Sequence, residues 1–133
     1  MPGIAAVSEV DSLLKGANDL LELDDFSGVM ELLDKVLEQE PGHSQAKKMR
    51  DEAEQELLSM LSSKLGDMNR TARVRMSQDE IIWLNLDNRA GFVLSLVDGS
   101  LSLDEIVSIC GLPQLEGMRI LVQLLQEKVI EIN

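Results

Sequence analysis

The most informative part of the sequence is DNRAGFVLSLVDGSLSLDEIVSICGLPQLEGMRILVQLLQEKVIEI, residues 87–132. Its apolar residues recur at helical spacing in three segments, which the turns DGS and CGL separate. Asp87 is a suitable N-cap for the first helix, and Ser102 with Glu105 makes a capping box for the second. Pro113 suits the first turn of the third helix. The stretch therefore predicts helices over 88–97, 103–110 and 113–128, and a closing strand at VIEI.

Two shorter segments upstream, ARVRM (72–76) and IIWLNL (81–86), have the composition of strands, and SQDE between them predicts a turn. In the second strand Ile81, Trp83 and Asn85 would share one face. Two strands, three helices and a closing strand make a winged helix-turn-helix. DNA-binding proteins and modules that hold peptides both use this arrangement, so the pattern leaves two classes of function open.

The first half of the chain has a helical apolar period throughout. It predicts helices over 8–23, 26–39 and 44–65, with Pro41 and Gly42 between the last two. Gly66 and Asp67 break the pattern, which predicts two domains, 1–67 and 68–133. The expected fold class is mainly α with a small β-sheet (α+β): an antiparallel helical hairpin with a long third helix, followed by a winged helix. A homodimer through the third helix is a further possibility.

The segment LLKGANDLLELDDFSGVMELLDKVLEQEPGH resembles a tetratricopeptide repeat. The matching positions are Leu13, Gly16, Ala17, Leu20, Asp25, Phe26, Val29, Val36 and Pro41. Leucine replaces the usual aromatic residues, and valine replaces two alanines. The resemblance implies that one face of the first helix contacts a partner. That face carries Asp11, Leu14, Asn18, Leu21 and Glu22, although Leu14 and Leu21 also suit the core.

The segment IIWLNLDNRAGFVLSLVDGSLSLDEIVSICGL resembles the PqqD-like winged-helix family, whose members recognise peptide segments. In that family the bound peptide adds to a sheet edge beside the first helix. The resemblance implies a groove formed by Ile81, Trp83, Asn85, Arg89 and Phe92. Trp83 suits either of two roles, an anchor for a partner or a cover for the helical first half.

The charge of the chain weighs against nucleic acid as a partner. Twelve Lys and Arg against 24 Asp and Glu give a net charge of -12, whereas affinity for DNA comes from cations that neutralise phosphates. A DNA-binding transcription regulator is the alternative function. It would use Arg70, Arg73, Arg75 and Arg119.

The sequence contains no catalytic motif, so we expect no enzyme and no cofactor. The single cysteine, Cys110, and the single histidine, His43, offer no metal site. Cys110 is expected to be a buried, inert thiol. The chain has neither a long apolar run nor a secretion signal, which predicts a cytoplasmic protein without membrane insertion. The sequence thus predicts a protein-binding adaptor or regulator, in a bacterial signalling, motility or secretion context.

Overall fold

The computed structural model describes the backbone of residues 2–133 and the side chains of residues 9–133. Within these residues the chain forms seven helices and one two-stranded antiparallel sheet. The predicted class, mainly α with a small β-sheet, is confirmed. The chain divides into two compact units, Met1–Ser59 and Met60–Asn133. The division falls within the third helix, earlier than the boundary that the sequence predicts after Asp67.

The first unit is built on a hairpin of two helices, α1 (Pro2–Glu22) and α2 (Phe26–Gln39). α1 begins earlier than the predicted start at Ser8, and α2 has its predicted bounds. The carboxylate of Asp25 accepts a hydrogen bond of 3.0 Å from the backbone N–H of Gly28, which caps the start of α2. The chain therefore reverses within three residues, and the two helices pack side by side.

Small residues let α1 and α2 approach closely. Ala17 is fully buried, and a Cβ placed on Gly16 would lie 3.1 Å from Cδ1 of Leu32. The apolar stripes of the helices meet there and exclude water, which is the main stabilising term for such a small unit. The buried apolar residues of this unit are Val10, Ala17, Phe26, Val29, Met30, Leu33, Val36, Ala46, Ala53 and Leu57.

The third helix, α3 (Ser44–Leu65), starts at a histidine cap. Nδ1 of His43 accepts a hydrogen bond of 3.1 Å from the backbone N–H of Ala46. Further along, the Arg50 guanidinium forms ion pairs with Asp34 of α2 and Glu54 of α3. The hydrogen bond to Asp34 raises the pKa of Arg50 above its ordinary value. The ion pair between Arg50 and Asp34 therefore ties α3 to α2.

The second unit contains the three helices that the opening stretch predicts: α5 (Asn88–Ser95), α6 (Leu103–Ile109) and α7 (Gln114–Gln126). Asp87 caps α5, and Ser102 with Glu105 forms a complete capping box at α6, so both predicted caps are confirmed. Between these helices, the Asp98 carboxylate accepts hydrogen bonds from the backbone and hydroxyl of Ser100. These bonds hold the pKa of Asp98 below its usual value.

The sheet of the second unit joins strands from its two ends. β1 (Ala72–Val74) pairs antiparallel with β2 (Ile130–Ile132), in a register that places Arg73 opposite Glu131. Ala72 and Ile130 point into the core, whereas Arg73 and Glu131 form an ion pair on the outer face. The largest fully buried side chains of this unit are Val93, Leu103, Ile106, Leu121, Leu124, Val129 and Ile130.

Cys110 lies in this core and is a buried free thiol. Its Sγ donates to the carbonyl of Val107 at 3.3 Å. A Cβ on Gly117 of α7 would lie 3.3 Å from the same sulfur, so α6 and α7 approach closely at this point. The expected buried thiol is confirmed.

The prediction of a second strand at 81–86 is wrong. Residues Gln78–Leu84 form a helix, α4, and Asn85 is its C-cap. The strand predicted at 72–76 exists as β1, but its partner is β2 and not the segment that follows it. Ile81, Trp83 and Asn85 therefore form no strand edge, and a peptide cannot add to a sheet there.

Candidate functional site

Helix α4 begins after a serine N-cap, Ser77. The Oγ of Ser77 accepts a hydrogen bond of 3.2 Å from the backbone N–H of Glu80 and donates to the Glu80 carboxylate at 3.1 Å. Asp79 and Glu80 place negative charge in the first turn, where the helix dipole favours it. Asn85 ends the helix in the left-handed conformation at φ 53°, which asparagine tolerates better than most residues. Local interactions therefore determine this helix.

α4 is unusual because none of its residues is buried. Ile81 and Leu84 are half-buried and lie on one side of the helix. Ile82 and Trp83 are on the other side, exposed over 73% and 87% of their surfaces. A seven-residue helix gains little stability from its own backbone, and this one leaves its largest apolar side chains in water.

Asp79 lies on the same exposed side of α4 as Ile82 and Trp83. It precedes Ile82 by three residues and Trp83 by four, and these are the spacings at which helical side chains are neighbours. Its carboxylate is exposed and has no hydrogen bond or ion pair to any described residue. We call Asp79, Ile82 and Trp83 the outer face of α4. It presents two apolar side chains around one unpaired negative charge.

The other residues of the predicted groove lie on α5 and at the end of α4. Arg89 and Phe92 are three residues apart on α5, and therefore share a side of that helix. Phe92 is exposed over 50% of its surface, and Arg89 forms an ion pair of 3.2 Å with Glu116 of α7. Asn85 is exposed, but its backbone serves as the cap of α4. The predicted groove is thus split between two helices of the second unit.

The second predicted surface lies on α1, in the first unit. Asp11, Asn18 and Glu22 are exposed there. Leu14 is half-buried, and Leu21 is exposed over 38% of its surface. The helical spacing places these five residues along one side of α1. Their apolar members are more covered than Ile82 and Trp83, so this surface offers a partner less unburied apolar area.

Ile82 and Asp79 are not among the contact residues that the sequence predicts. A strand would turn Ile82 away from Trp83, whereas the helix places both on its exposed side. The signal was available, because Ser77-Gln-Asp-Glu80 has the Ser-x-x-Glu pattern that also precedes α6 at Ser102. The β-branched and aromatic residues of IIWL favour a strand and outweighed that signal.

The arginines proposed for DNA binding do not form one free basic surface. Arg73 is paired with Glu131, and Arg119 is half-buried and engaged in an interaction. Arg70 and Arg75 are exposed and have no ion pair to any described residue. A shallow hollow beside the sheet is lined by Arg73, Val74, Arg75 and Glu131. Its one carboxylate offsets part of the positive charge.

Two further features were sought in the part of the chain that the structure describes, a metal-binding group and a membrane-spanning helix. It holds no group of three or more His, Cys, Asp or Glu side chains placed to bind a metal ion. No helix among residues 2–133 has the length and apolar character needed to cross a membrane. Comparison of the chain with protein-family models, curated proteins and solved structures gave no significant match.

Proposed function

We propose that this chain is a non-enzymatic adaptor or regulator that holds a partner protein through the outer face of α4. The observation that carries the proposal is the exposure of Trp83, at 87%, beside Ile82, at 73%. Scattered apolar residues are common on protein surfaces, but tryptophan is the residue most enriched at the centres of protein interfaces. A partner that covers both side chains gains the apolar burial that this chain leaves unused.

The structure of the second unit suits this role. Ser77 and Asn85 fix α4 at its two ends, so the outer face has a defined shape before any partner binds. A preformed surface loses less conformational entropy on binding than a flexible loop does. Phe92 of α5 is the other exposed aromatic side chain in the described part of this unit, and it can be replaced independently in a test.

The resemblance of the first unit to a tetratricopeptide repeat supports the same class of function. The PqqD-like resemblance supports it less, because the strand edge that it implies is replaced by helix α4. The side of α1 with Asp11, Asn18 and Leu21 is a second candidate surface. We place the protein in the cytoplasm of a bacterium, in a signalling, motility or secretion context, on the basis of its sequence alone.

The DNA-binding alternative has weaker support. A reader of the winged-helix class inserts an exposed helix into the major groove. In α7, Ile120, Leu121 and Val122 are consecutive and all buried, so little of its middle is free to meet bases. Among the four candidate arginines, only Arg70 and Arg75 are exposed without an ion pair to a described residue.

The experiment is a quantitative affinity capture from a lysate of the source organism, followed by mass spectrometry. The baits are the wild-type chain, Trp83→Ala and Ile109→Ala. Ile109 is a matched control, because it is also an exposed apolar residue of the second unit, at 54%, but lies on α6. We expect one partner that Ile109→Ala retains and Trp83→Ala loses.

Equal recovery of every captured protein by Trp83→Ala and the wild type would remove α4 from the proposal. Circular dichroism of each bait excludes misfolding as the cause of a loss. A Trp83→Phe bait adds a further check, because an aromatic ring should restore part of the binding that alanine removes.

A further inference from the structure

The outer face of α4 combines two chemical properties in a small area. Asp79 lies three residues before Ile82 and four before Trp83, and at these spacings helical Cβ atoms lie about 5–6 Å apart. A side chain that covers Ile82 and Trp83 therefore comes close to the Asp79 carboxylate. A purely apolar ligand would desolvate this carboxylate without replacing its hydrogen bonds to water, which opposes binding.

The carboxylate of Asp79 is available to a ligand. Its neighbour Glu80 accepts a hydrogen bond from the Ser77 hydroxyl at 3.1 Å and is thereby engaged in the cap of α4. Asp79 has no such bond to any residue in the described part of the chain. Negative charge in the first helical turn is favourable, but Glu80 already supplies it there.

We propose that the outer face of α4 receives a cationic, apolar segment of the partner, with an arginine seated on Trp83 and paired with Asp79. This inference rests on the proposed function. Arginine matches all three side chains: its aliphatic stem covers Ile82, its planar guanidinium stacks on the indole, and its N–H groups donate to the carboxylate.

The charge of the whole chain favours the same kind of partner. A net charge of -12 attracts a cationic segment and raises the rate at which it meets the surface. The same charge opposes a second copy of this chain as the occupant, because two outer faces would bring two Asp79 carboxylates together. The Arg89 guanidinium of α5 is paired with Glu116, so its positive charge repels a cationic segment less than a free arginine would.

The test uses the full-length chain and three synthetic helical peptides of equal length. Each is rich in leucine on one side, and its polar positions carry arginine, glutamine or glutamate. Fluorescence anisotropy of the labelled peptides gives the dissociation constants for the wild type, Trp83→Ala, Asp79→Asn and Asp104→Asn. Asp104 is a matched control, since it is an exposed second residue of a seven-residue helix that follows a serine cap, as Asp79 is.

We expect the arginine peptide to bind more tightly than the glutamine peptide, and the glutamate peptide to bind weakest. Asp79→Asn should weaken binding of the arginine peptide about two- to fivefold, the range for one exposed ion pair. Asp104→Asn should leave its dissociation constant unchanged. Trp83→Ala should weaken binding of this peptide about thirtyfold, as expected for an interface hot spot. Added salt should reduce the difference between the arginine and glutamine peptides.

Two results would overturn the inference. If Asp79→Asn and Asp104→Asn weaken the arginine peptide equally, the attraction comes from general charge and not from the outer face. If the arginine and glutamine peptides bind equally, and Trp83→Ala weakens both, the segment need not be cationic, but the proposed function stands. The proposed function itself fails only if Trp83→Ala also leaves the captured partners unchanged.

Discussion

Trp83 gives this chain a reporter at the proposed contact, because it is the one tryptophan and the chain has no tyrosine. With 87% of its surface exposed, the indole should emit in the folded protein at nearly the wavelength of the urea-unfolded chain. Relative to their quenching of free tryptophan, the cation caesium should quench this indole more than the anion iodide does, since the carboxylates of Asp79 and Glu80 lie four and three residues before it on α4.

Asp79→Asn should narrow the difference between caesium and iodide quenching, whereas Asp104→Asn should preserve it. Steady-state fluorescence measures both effects. Native emission far to the blue of the unfolded chain would mean that Trp83 is buried, contrary to the structure.

His43 offers a second test at the scale of one residue. Its Nδ1 accepts the backbone N–H of Ala46 and so replaces the serine or aspartate usual at a helix start. His43→Ala should lower the free energy of unfolding by about 1 kcal/mol, whereas His43→Asp should retain the cap and add a favourable charge at the N-terminus of α3. Urea denaturation checks this order of stability. Equal stability of His43→Ala and the wild type would show that the hydrogen bond contributes nothing.

Helices α4 and α6 make a matched pair. Both have seven residues, and each follows a serine N-cap, Ser77 for α4 and Ser102 for α6. α6 buries Leu103, Ile106 and Val107, whereas α4 has no buried residue. Loss of the Ser77 cap should therefore unfold α4 locally. Loss of the Ser102 cap should lower the stability of the whole second unit.

We expect Ser102→Ala to lower the free energy of unfolding by about 1 kcal/mol and Ser77→Ala to change it little. Ser77→Ala should instead accelerate hydrogen exchange in α4 and weaken partner binding. Mass spectrometry of exchanged peptides separates these effects. If Ser77→Ala lowers global stability as much as Ser102→Ala does, then α4 belongs to the core, and its outer face is not a free surface.

The two helices also show how far the sequence predicts the structure. Ser102 and Glu105 precede residues with a helical apolar period, so cap and pattern agree and α6 is predictable. Ser77 also provides a cap, but the six residues IIWLNL are too few to distinguish a helical period from that of a strand. The pairing of β1 with β2 depends on contacts distant in sequence, which local patterns do not encode. The exposure of Ile82 follows from the helix, and was missed with it.

The candidate site shows the same limit. Trp83, Arg89 and Phe92 are recognisable from residue type, because exposed aromatic and arginine side chains are common at interfaces. Their arrangement is not recognisable, since Asp79 joins Trp83 only if the segment is helical.

For the whole molecule, the net charge of -12 leads to a prediction about nucleic acid. Duplex DNA should show no binding at physiological salt up to about 100 µM, near the weak end of ordinary non-specific affinity. An anisotropy titration with a labelled duplex measures this. Binding that falls steeply with salt, and is lost in an Arg70→Ala, Arg75→Ala double variant, would favour the DNA-binding alternative.

We propose above all that a partner protein covers Trp83 when it binds. A fluorine NMR spectrum of the chain labelled with 5-fluorotryptophan, recorded with and without the unlabelled partner obtained by affinity capture, tests this claim. The chain has one tryptophan, so one resonance reports on this side chain. We predict that the resonance shifts on binding and loses its sensitivity to exchange of H₂O for D₂O. A complex that forms while the resonance stays unchanged and solvent-sensitive would contradict the claim.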